Sequence, residues 1–390
     1  IYGPTGSGKT RLLAAISFLL NSLRGDRILI CCADNASADA MINQLVEVQE
    51  FFDTEVQFLR VYCASKTDQL FEKDSISDLN KQHEPHHLCL EKISEYLETA
   101  QKYKHISKFD VFETTVDGFQ DLQLHCQKKI PMKVGHLYES RRNKELRNAL
   151  SIYSEVFTNI MLNASIIVTT CGVTGDNRFK TMKFPICLID DASAITEPMT
   201  LIPLALKVQQ VIFSTTFKLH KPSCMYQLEQ TTINESLPEK LGKIQGNGEF
   251  PKYQLTQQFR CAKDVCILGY TNNPQKQINF PCKNQFLNLS EAKVIQYLLD
   301  ENCYYEQNCF QTIIDICNKN YGLDDVMVIV PSVEEKNNLK FKTGTKMHSL
   351  SEITGQEADV VILSLISKEV APQFKRDQVL FNCLSRHRKV

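Results

Sequence analysis

The chain opens on Ile1-Tyr2-Gly3-Pro4-Thr5-Gly6-Ser7-Gly8-Lys9-Thr10, which fits G-x-x-x-x-G-K-[ST] without a mismatch. Glycines at 3, 6 and 8 let the backbone wrap closely, so that its N–H groups converge on a small anion; phosphate has that size and charge. Lys9 is placed to reach the outer phosphates, and the Thr10 hydroxyl to bind Mg²⁺. The flanks agree. Ile1-Tyr2 reads as the end of a buried strand, and Arg11–Leu23 (RLLAAISFLLNSL) as the helix whose N-terminus faces the phosphates. A chance glycine-rich turn would lack this strand–loop–helix context. The chain is therefore expected to bind a nucleoside triphosphate, with Gly3, Thr5, Gly6, Ser7, Gly8, Lys9 and Thr10 around the phosphates.

The 390 residues suffice for about two or three domains. A net charge of −1 gives no global basic field that would announce a nucleic-acid partner, although a groove charged only locally remains compatible with it. Residues 101–150 carry ten Lys/Arg against six Asp/Glu. The fifteen cysteines are scattered through apolar runs, and no C-x-x-C occurs, so reduced, buried thiols in a cytosolic or nuclear protein are expected. His83, His86, His87 and Cys89 have metal-like composition but lie in a polar stretch without a second cysteine pair, which favours a solvated loop. No run of eighteen apolar residues is present, so no spanning helix is expected. Both ends read as cut from a longer protein.

Short β-branched runs alternate with helical stretches, the pattern of an α/β fold with parallel sheets and crossover helices. Strands are expected at Arg27–Cys32, Val56–Tyr62, Ser165–Thr170, Ile186–Asp190 and Gln210–Ser214. A polar connection from about 220 to 249 follows, then strands at Val326–Val330 and Val360–Ser364, with helices at Ala262–Tyr270, Glu291–Asn302 and Val333–Leu339. Ser332 and Glu335 form a capping box for the last helix. Residues 65–159 are long, charged and mainly helical, with Leu88–Tyr103 and Ser140–Asn163 the clearest helices, and they read as an insertion in the first sheet. Its basic stretch Lys128–Arg147 could line a strand channel; without interleaved aromatics, a solvated helix face is the better reading.

A second motif stands at Phe184-Pro185-Ile186-Cys187-Leu188-Ile189-Asp190-Asp191. An apolar strand delivers Asp190 to its carboxyl end, where ligands bind in open α/β sheets. Asp190 is expected to hold Mg²⁺, and Asp191 to orient the attacking water.

Asp190–Pro198 (DDASAITEP), continuing to Leu204, resembles motif II of superfamily-one helicases, and most closely the up-frameshift RNA helicases of nonsense-mediated mRNA decay. Other stretches are similar to that group in the same order. Ile28–Asp39 resembles motif Ia, with Asn35 and Asp39 matching, and Ser165–Asp176 the strand and loop that touch nucleic acid. Gln258-Phe259-Arg260 resembles a Q-[YF]-R motif, and Asn288 with Glu291-Ala292 an N-x-x-E-A element. Gly355–Ser364 resembles motif V, and Leu384–Arg388 (LSRHR) motif VI. The resemblance implies two tandem RecA-like P-loop domains, residues 1–222 with a helical insertion at about 65–159, and 223–390 with its C-terminal part missing. It implies an ATP hydrolase working with Mg²⁺ on single-stranded RNA, with protein partners engaged through the missing termini, no membrane, and a cytoplasmic or nuclear location. Arg260 and Arg386 would be cationic fingers on the transferring phosphoryl group. Gly355 and Glu357 would lie near the nucleotide, and Asn35 and Thr170 on the strand.

The departures fall on the chemistry. The group's second acid is Glu, and here it is Asp191, one methylene shorter. The glutamine two positions beyond Ala192 is Ala194. The expected G-D-x-x-Q of motif III reads Ser214-Thr215-Thr216-Phe217-Lys218, so a lysine stands where a phosphate-sensing glutamine would both donate and accept. The Gln of Q-G-x-E is Thr354. Binding parts are intact while hydrolysis and coupling parts are eroded. Three readings stay open: an attenuated RNA helicase core, an ATP-binding scaffold that clamps RNA or protein without turnover, and a DNA helicase of the same superfamily.

Overall fold

The computed structural model describes residues 1–53, 55–63, 156–216, 235–243, 251–260, 326–330, 345–350 and 360–363, with isolated positions at 82–85, 88, 89, 91, 92, 222, 314, 315, 319, 334, 336, 353 and 358. In chain order the elements are β1 (Tyr2–Gly3), α1 (Lys9–Arg24), β2 (Ile28–Cys32), α2 (Asn35–Phe52), β3 (Phe58–Arg60), β4 (Ile166–Thr170), β5 (Ile186–Ile189), α3 (Glu197–Leu204), β6 (Gln210–Phe213), β7 (Thr215–Thr216), α4 (Leu237–Lys243), β8 (Val326–Val330), β9 (Lys346–Ser349) and β10 (Val360–Leu363). Short 3₁₀ turns occupy Cys171–Gly175, Asn177–Phe179 and Ala192–Ala194. The fold is α/β, with parallel sheets and flanking helices.

The chain divides into two compact units. One comprises Ala14–Ile189 and Leu201–Val211. Its sheet has the order β3-β4-β2-β5-β6, with β2 parallel to both β4 and β5, and β3 parallel to β4. β2 and β5 are buried at every residue, the signature of parallel strands covered on both faces. α2 packs on β2, β3 and β4 through Ala38, Met41, Ile42, Leu45 and Val48, one stripe at helical spacing. Asp34 starts that helix by accepting the Ser37 N–H, and Asp53 ends it in the left-handed conformation. Arg27 donates to the carbonyls of Met161 and Ala164, satisfying the end of helical residues 156–163, and stacks over Phe184.

The other unit comprises Ile1–Leu13, Asp190–Thr200 and Ile212–Val390. β8 lies between β10 and β9, parallel to both, and is wholly buried. Its alternate residues enter two clusters, Met327 and Ile329 with Ile353 and Ala358, and Val328 and Val330 with Ile314. In the same unit β1 pairs in parallel with β7, and Tyr2 bridges to Gln254. α4 packs on the Ala192–Ala194 turn, and Lys240 pairs with Glu197.

The strands expected from sequence are found at 28–32, 58–60, 166–170, 186–189, 210–213, 326–330 and 360–363. β7 and β9 were not expected, because Thr-Thr is too short for a periodicity and Lys-Met-His-Ser is half-polar on a sheet edge. α4 falls within the stretch read as polar connection; four of its seven residues are Lys, Glu or Gly, and only Leu237 is buried. His83, expected in a solvated loop, is partly buried. It stacks on Phe58 with ring centroids 4.2 Å apart, and burial lowers its pKa while its contact with the Phe58 carbonyl opposes this. Cys89 is buried as well. Among the described residues no group of three His, Cys, Asp or Glu side chains could hold a metal, and no helix is long and apolar enough to cross a membrane. The expected helices 262–270 and 291–302, the Ser332/Glu335 box, the basic stretch 128–147 and most of 65–159 lie outside the described residues, as do 217–221 around the expected domain boundary.

One side chain ties β3 to α2. Arg60 is fully buried, and its guanidinium donates to Asp39 Oδ1 at 2.7 Å, Asn35 Oδ1 at 2.9 Å and the Val61 carbonyl at 2.8 Å, while lying 3.9 Å from the Tyr62 ring centre. Tyr62 donates its hydroxyl to the same Asp39 oxygen. Removing one member of a buried pair leaves the other uncompensated, but Asp39 is 34% exposed, which reduces the penalty. Arg60→Met is expected to lower stability by about 2–3 kcal/mol in urea unfolding; a loss under about 0.5 kcal/mol, the range of a surface change, would show that the network is dispensable.

Candidate nucleotide site

The site lies within the unit that holds residues 1–13, 190–200 and 212–390. Gly6 and Gly8 adopt φ of 77° and 79°, a region that L side chains rarely occupy. They differ in surroundings. A β-carbon on Gly6 would fall 2.6 Å from the Arg260 β-carbon and 2.8 Å from Gln258 Oε1, whereas one on Gly8 would meet nothing within 4 Å. Gly6 is thus a packing glycine and Gly8 faces open space, as a phosphate cradle requires. A β-carbon on Gly3 would fall 2.9 Å from that of Leu255. The loop is pinned from that side by its backbone: Phe259 N–H donates to the Gly6 carbonyl at 2.9 Å, and Leu255 N–H to the Tyr2 carbonyl at 2.8 Å. Gln258, fully buried, turns its side-chain oxygen onto the Arg260 N–H at 2.6 Å.

Lys9 heads α1, and its ammonium rests on the carbonyls of Pro4 and Gly3 at 2.9 and 3.3 Å. Thr10, next on the helix, donates its hydroxyl to Asp190 Oδ2 at 2.8 Å. Ser214, between β6 and β7, donates to Asp190 Oδ1 at 2.5 Å. Burial pushes the Asp190 carboxyl up from its ordinary pKa; the Ser214 bond opposes this, the neighbouring Asp191 charge adds to it, and the Thr10 bond and Lys9 charge lower it. A hard divalent cation takes oxygen ligands, and Thr10 with Asp190 supplies a hydroxyl and a carboxylate side by side, so the donor set fits Mg²⁺.

Asp191 is left-handed at φ 47°, a cost tolerated by Asp at tight turns. Its N–H donates to Ser214 Oγ at 2.9 Å, and its Oδ1 accepts from Thr216 Oγ1 at 3.1 Å and Ser193 Oγ at 3.4 Å. The motif III stretch, read from sequence as eroded, therefore contributes Ser214 and Thr216 hydroxyls to both acids. Sequence reasoning gave these hydroxyls no role; three hydroxyl residues directly after a strand were the available signal.

The expected site residues are brought together in part. Gly3, Thr5, Gly6, Ser7, Gly8, Lys9, Thr10, Asp190, Asp191 and Arg260 belong to this one unit. Ser7 is buried, and its hydroxyl has no partner among the described residues. Asn35, the first residue of α2, and Thr170, the last of β4, lie in the other unit. The Asn35 oxygen is committed to Arg60, and Thr170 precedes a 3₁₀ turn without capping it by its side chain. Gly355, Glu357, Arg386, Lys218, Thr354, Asn288 and Glu291 lie outside the described residues. Phe259, half exposed, stands beside the loop with its N–H on the Gly6 carbonyl.

A phosphate loop at the head of a helix, facing an acid at the end of a parallel strand, defines a P-loop nucleotide-binding domain. The family model for the AAA domain matches residues 1–214, and the chain belongs to that family. It is similar to the regulator of nonsense transcripts 1 homolog of Neurospora crassa, 26% identical over 70% of this chain and 21% of that protein. It is similar also to regulator of nonsense transcripts 1 of Dictyostelium discoideum, 23% identical over 94% of this chain and 27% of that protein. An uncharacterized ATP-dependent helicase of Methanocaldococcus jannaschii is 24% identical over 70% of this chain and 41% of its own. The chain thus spans less than half the length of each of these relatives. The solved complex of arterivirus nonstructural protein 10 (helicase) with DNA aligns with 100% of this chain and 58% of that one, at 12% identity and a TM-score of 0.44.

The two glycines separate experimentally. Gly6→Ala is expected to destabilise the free protein and, through about 2 kcal/mol of strain, to weaken nucleotide binding about 30-fold in a fluorescent-ATP titration. Gly8→Ala carries the strain without the clash, so its melting temperature should fall less than that of Gly6→Ala while binding is lost to a comparable degree. Equal melting temperatures for the two variants would contradict the assignment of Gly6 to packing.

Proposed function

We propose that this chain is the ATP-hydrolysing core of a superfamily-one RNA helicase of the up-frameshift type, with single-stranded RNA as its track. The observation that carries the reading is the meeting, in one unit, of the phosphate loop, the Thr10–Asp190 pair and the backbone-anchored segment bearing Arg260. The names of the relatives support the class of activity.

In this reading Lys9 exchanges the Pro4 and Gly3 carbonyls for the β- and γ-phosphate oxygens. Thr10 and Asp190 would hold Mg²⁺, which would supply charge neutralisation for phosphoryl transfer. Asp191 orients the water that attacks the γ-phosphorus in line, breaking the β–γ bond. Arg260 and Arg386 stabilise the transferring group, a contribution typically worth roughly 10³–10⁵ in rate. Phe259 offers a half-exposed ring next to the loop, suited to stacking on the base. Asn35 and Thr170 meet the strand, and Gly355 and Glu357 link strand to nucleotide. The cytoplasm, where such RNA is handled, is the proposed location, and regions beyond this stretch would bring protein partners.

One observation favours the scaffold as a second reading. Asp191 is a methylene shorter than the glutamate of the group, and its Oδ1 already accepts from Thr216 and Ser193. Misplacement on the scale of 1 Å can cost about 10²-fold in rate, so turnover is expected to be slow.

Steady-state ATP hydrolysis with and without single-stranded RNA, beside Lys9→Ala, tests the motor. RNA-stimulated turnover that falls at least about 10²-fold in Lys9→Ala is the expected result. Turnover no higher than the control, with nucleotide still bound, would sink the motor and leave the scaffold. Asp191→Glu is expected to raise a slow rate, and single-stranded DNA of equal length should stimulate less than RNA.

A further inference from the structure

Ser214 occupies a position where one hydroxyl reaches the carboxylate of Asp190 and the main chain of Asp191. It is fully buried, in the single-residue gap between β6 and β7. A serine hydroxyl has one proton to give and lone pairs to receive. The proton goes to Asp190 Oδ1, and a lone pair receives the Asp191 N–H. The Ser214 carbonyl also accepts the Ala192 N–H at 2.8 Å. Ser214 therefore bonds in succession to the side chain of 190 and the main chains of 191 and 192, across the turn where the backbone is left-handed.

The two oxygens of Asp190 thereby become unlike. Oδ1 is held by Ser214, in the gap between β6 and β7. Oδ2 faces Thr10, itself a candidate cation ligand. We infer that Ser214 is a positioning residue of the divalent-cation site, which by fixing Oδ1 and the 191–192 turn presents Oδ2 of Asp190 to the cation beside Thr10. This rests on the proposed nucleotide site and adds a residue whose place in the resembling motif is taken by glycine, which has no hydroxyl to give. Oriented outer groups of this kind are typically worth about 10–100-fold in metal affinity.

The test uses the whole chain and a fluorescent ATP analogue. Ser214→Ala is made, together with Ser214→Gly in case the alanine variant does not fold; circular dichroism checks both. Binding is titrated with Mg²⁺ at fixed nucleotide, then with nucleotide at saturating Mg²⁺. The Mg²⁺ midpoint should rise about tenfold or more, while nucleotide affinity at saturating Mg²⁺ changes less than twofold. A midpoint that superimposes on the wild type overturns the inference. So does an equal loss in both titrations, which marks general damage to the site. Wild-type binding that ignores Mg²⁺ altogether would instead remove the cation site itself, and binding that ignores Lys9→Ala would remove the nucleotide reading.

Discussion

Parallel strands can be joined only by crossovers, and the loops that leave their carboxyl ends are where a chain of this architecture can afford polar groups. The constraint is visible in residue after residue. β1 ends at Gly3 and opens into the phosphate loop, β2 ends at Cys32 just before Asp34 and Asn35, β4 ends at Thr170, β5 ends at Ile189 before the two aspartates, and β6 ends at Phe213 before Ser214. Upstream of these ends the strands β2 and β5 admit no polar residue. The chemistry is confined to the ends because the interior has no water to solvate it.

All strands but β7 and β9 could be read from sequence because β-branched residues are concentrated where burial on two faces demands them, as in Val326–Val330. Nucleotide chemistry was legible for a similar reason, since glycine and lysine at fixed spacing have few other uses. What escaped was everything set by contacts between distant segments. No local rule marks Lys346–Ser349 as a strand; its partner β8 makes it one. Nothing in the linear order pairs Arg60 with Asn35 and Asp39, and the motif that suggested strand contact for Asn35 gave no hint that its oxygen is already engaged. The hydroxyls of Ser214 and Thr216 escaped because they stand at a glycine and an unspecified position of the resembling motif, and the carboxylates they reach lie 24 and 25 residues away along the chain.

The acid pair shows how such replacements can be absorbed. A shorter carboxylate at 191 sits on a left-handed turn, and the bonds from Thr216, Ser193 and Ser214 hold that turn. Local strain at a functional position persists only where surrounding groups over-determine it. Thr10 bonds to Asp190, while Asp191 is anchored separately by Thr216 and Ser193. The two neighbouring acids are therefore held by different sets of hydroxyls.

The bond from Phe259 N–H to the Gly6 carbonyl is made between main chains, and so is that from Leu255 to Tyr2. At the donors such a connection is indifferent to the side chain, since any residue but proline donates the same hydrogen; at Gly6 alone the residue is fixed, by its φ and by the room Arg260 leaves. Side chains around the site can drift while the mechanical link between the loop and the arginine-bearing segment persists unaltered. Coupling carried by the polypeptide backbone is thus inherited with the fold, and it sets a floor beneath which divergence of the motifs alone does not disconnect the two.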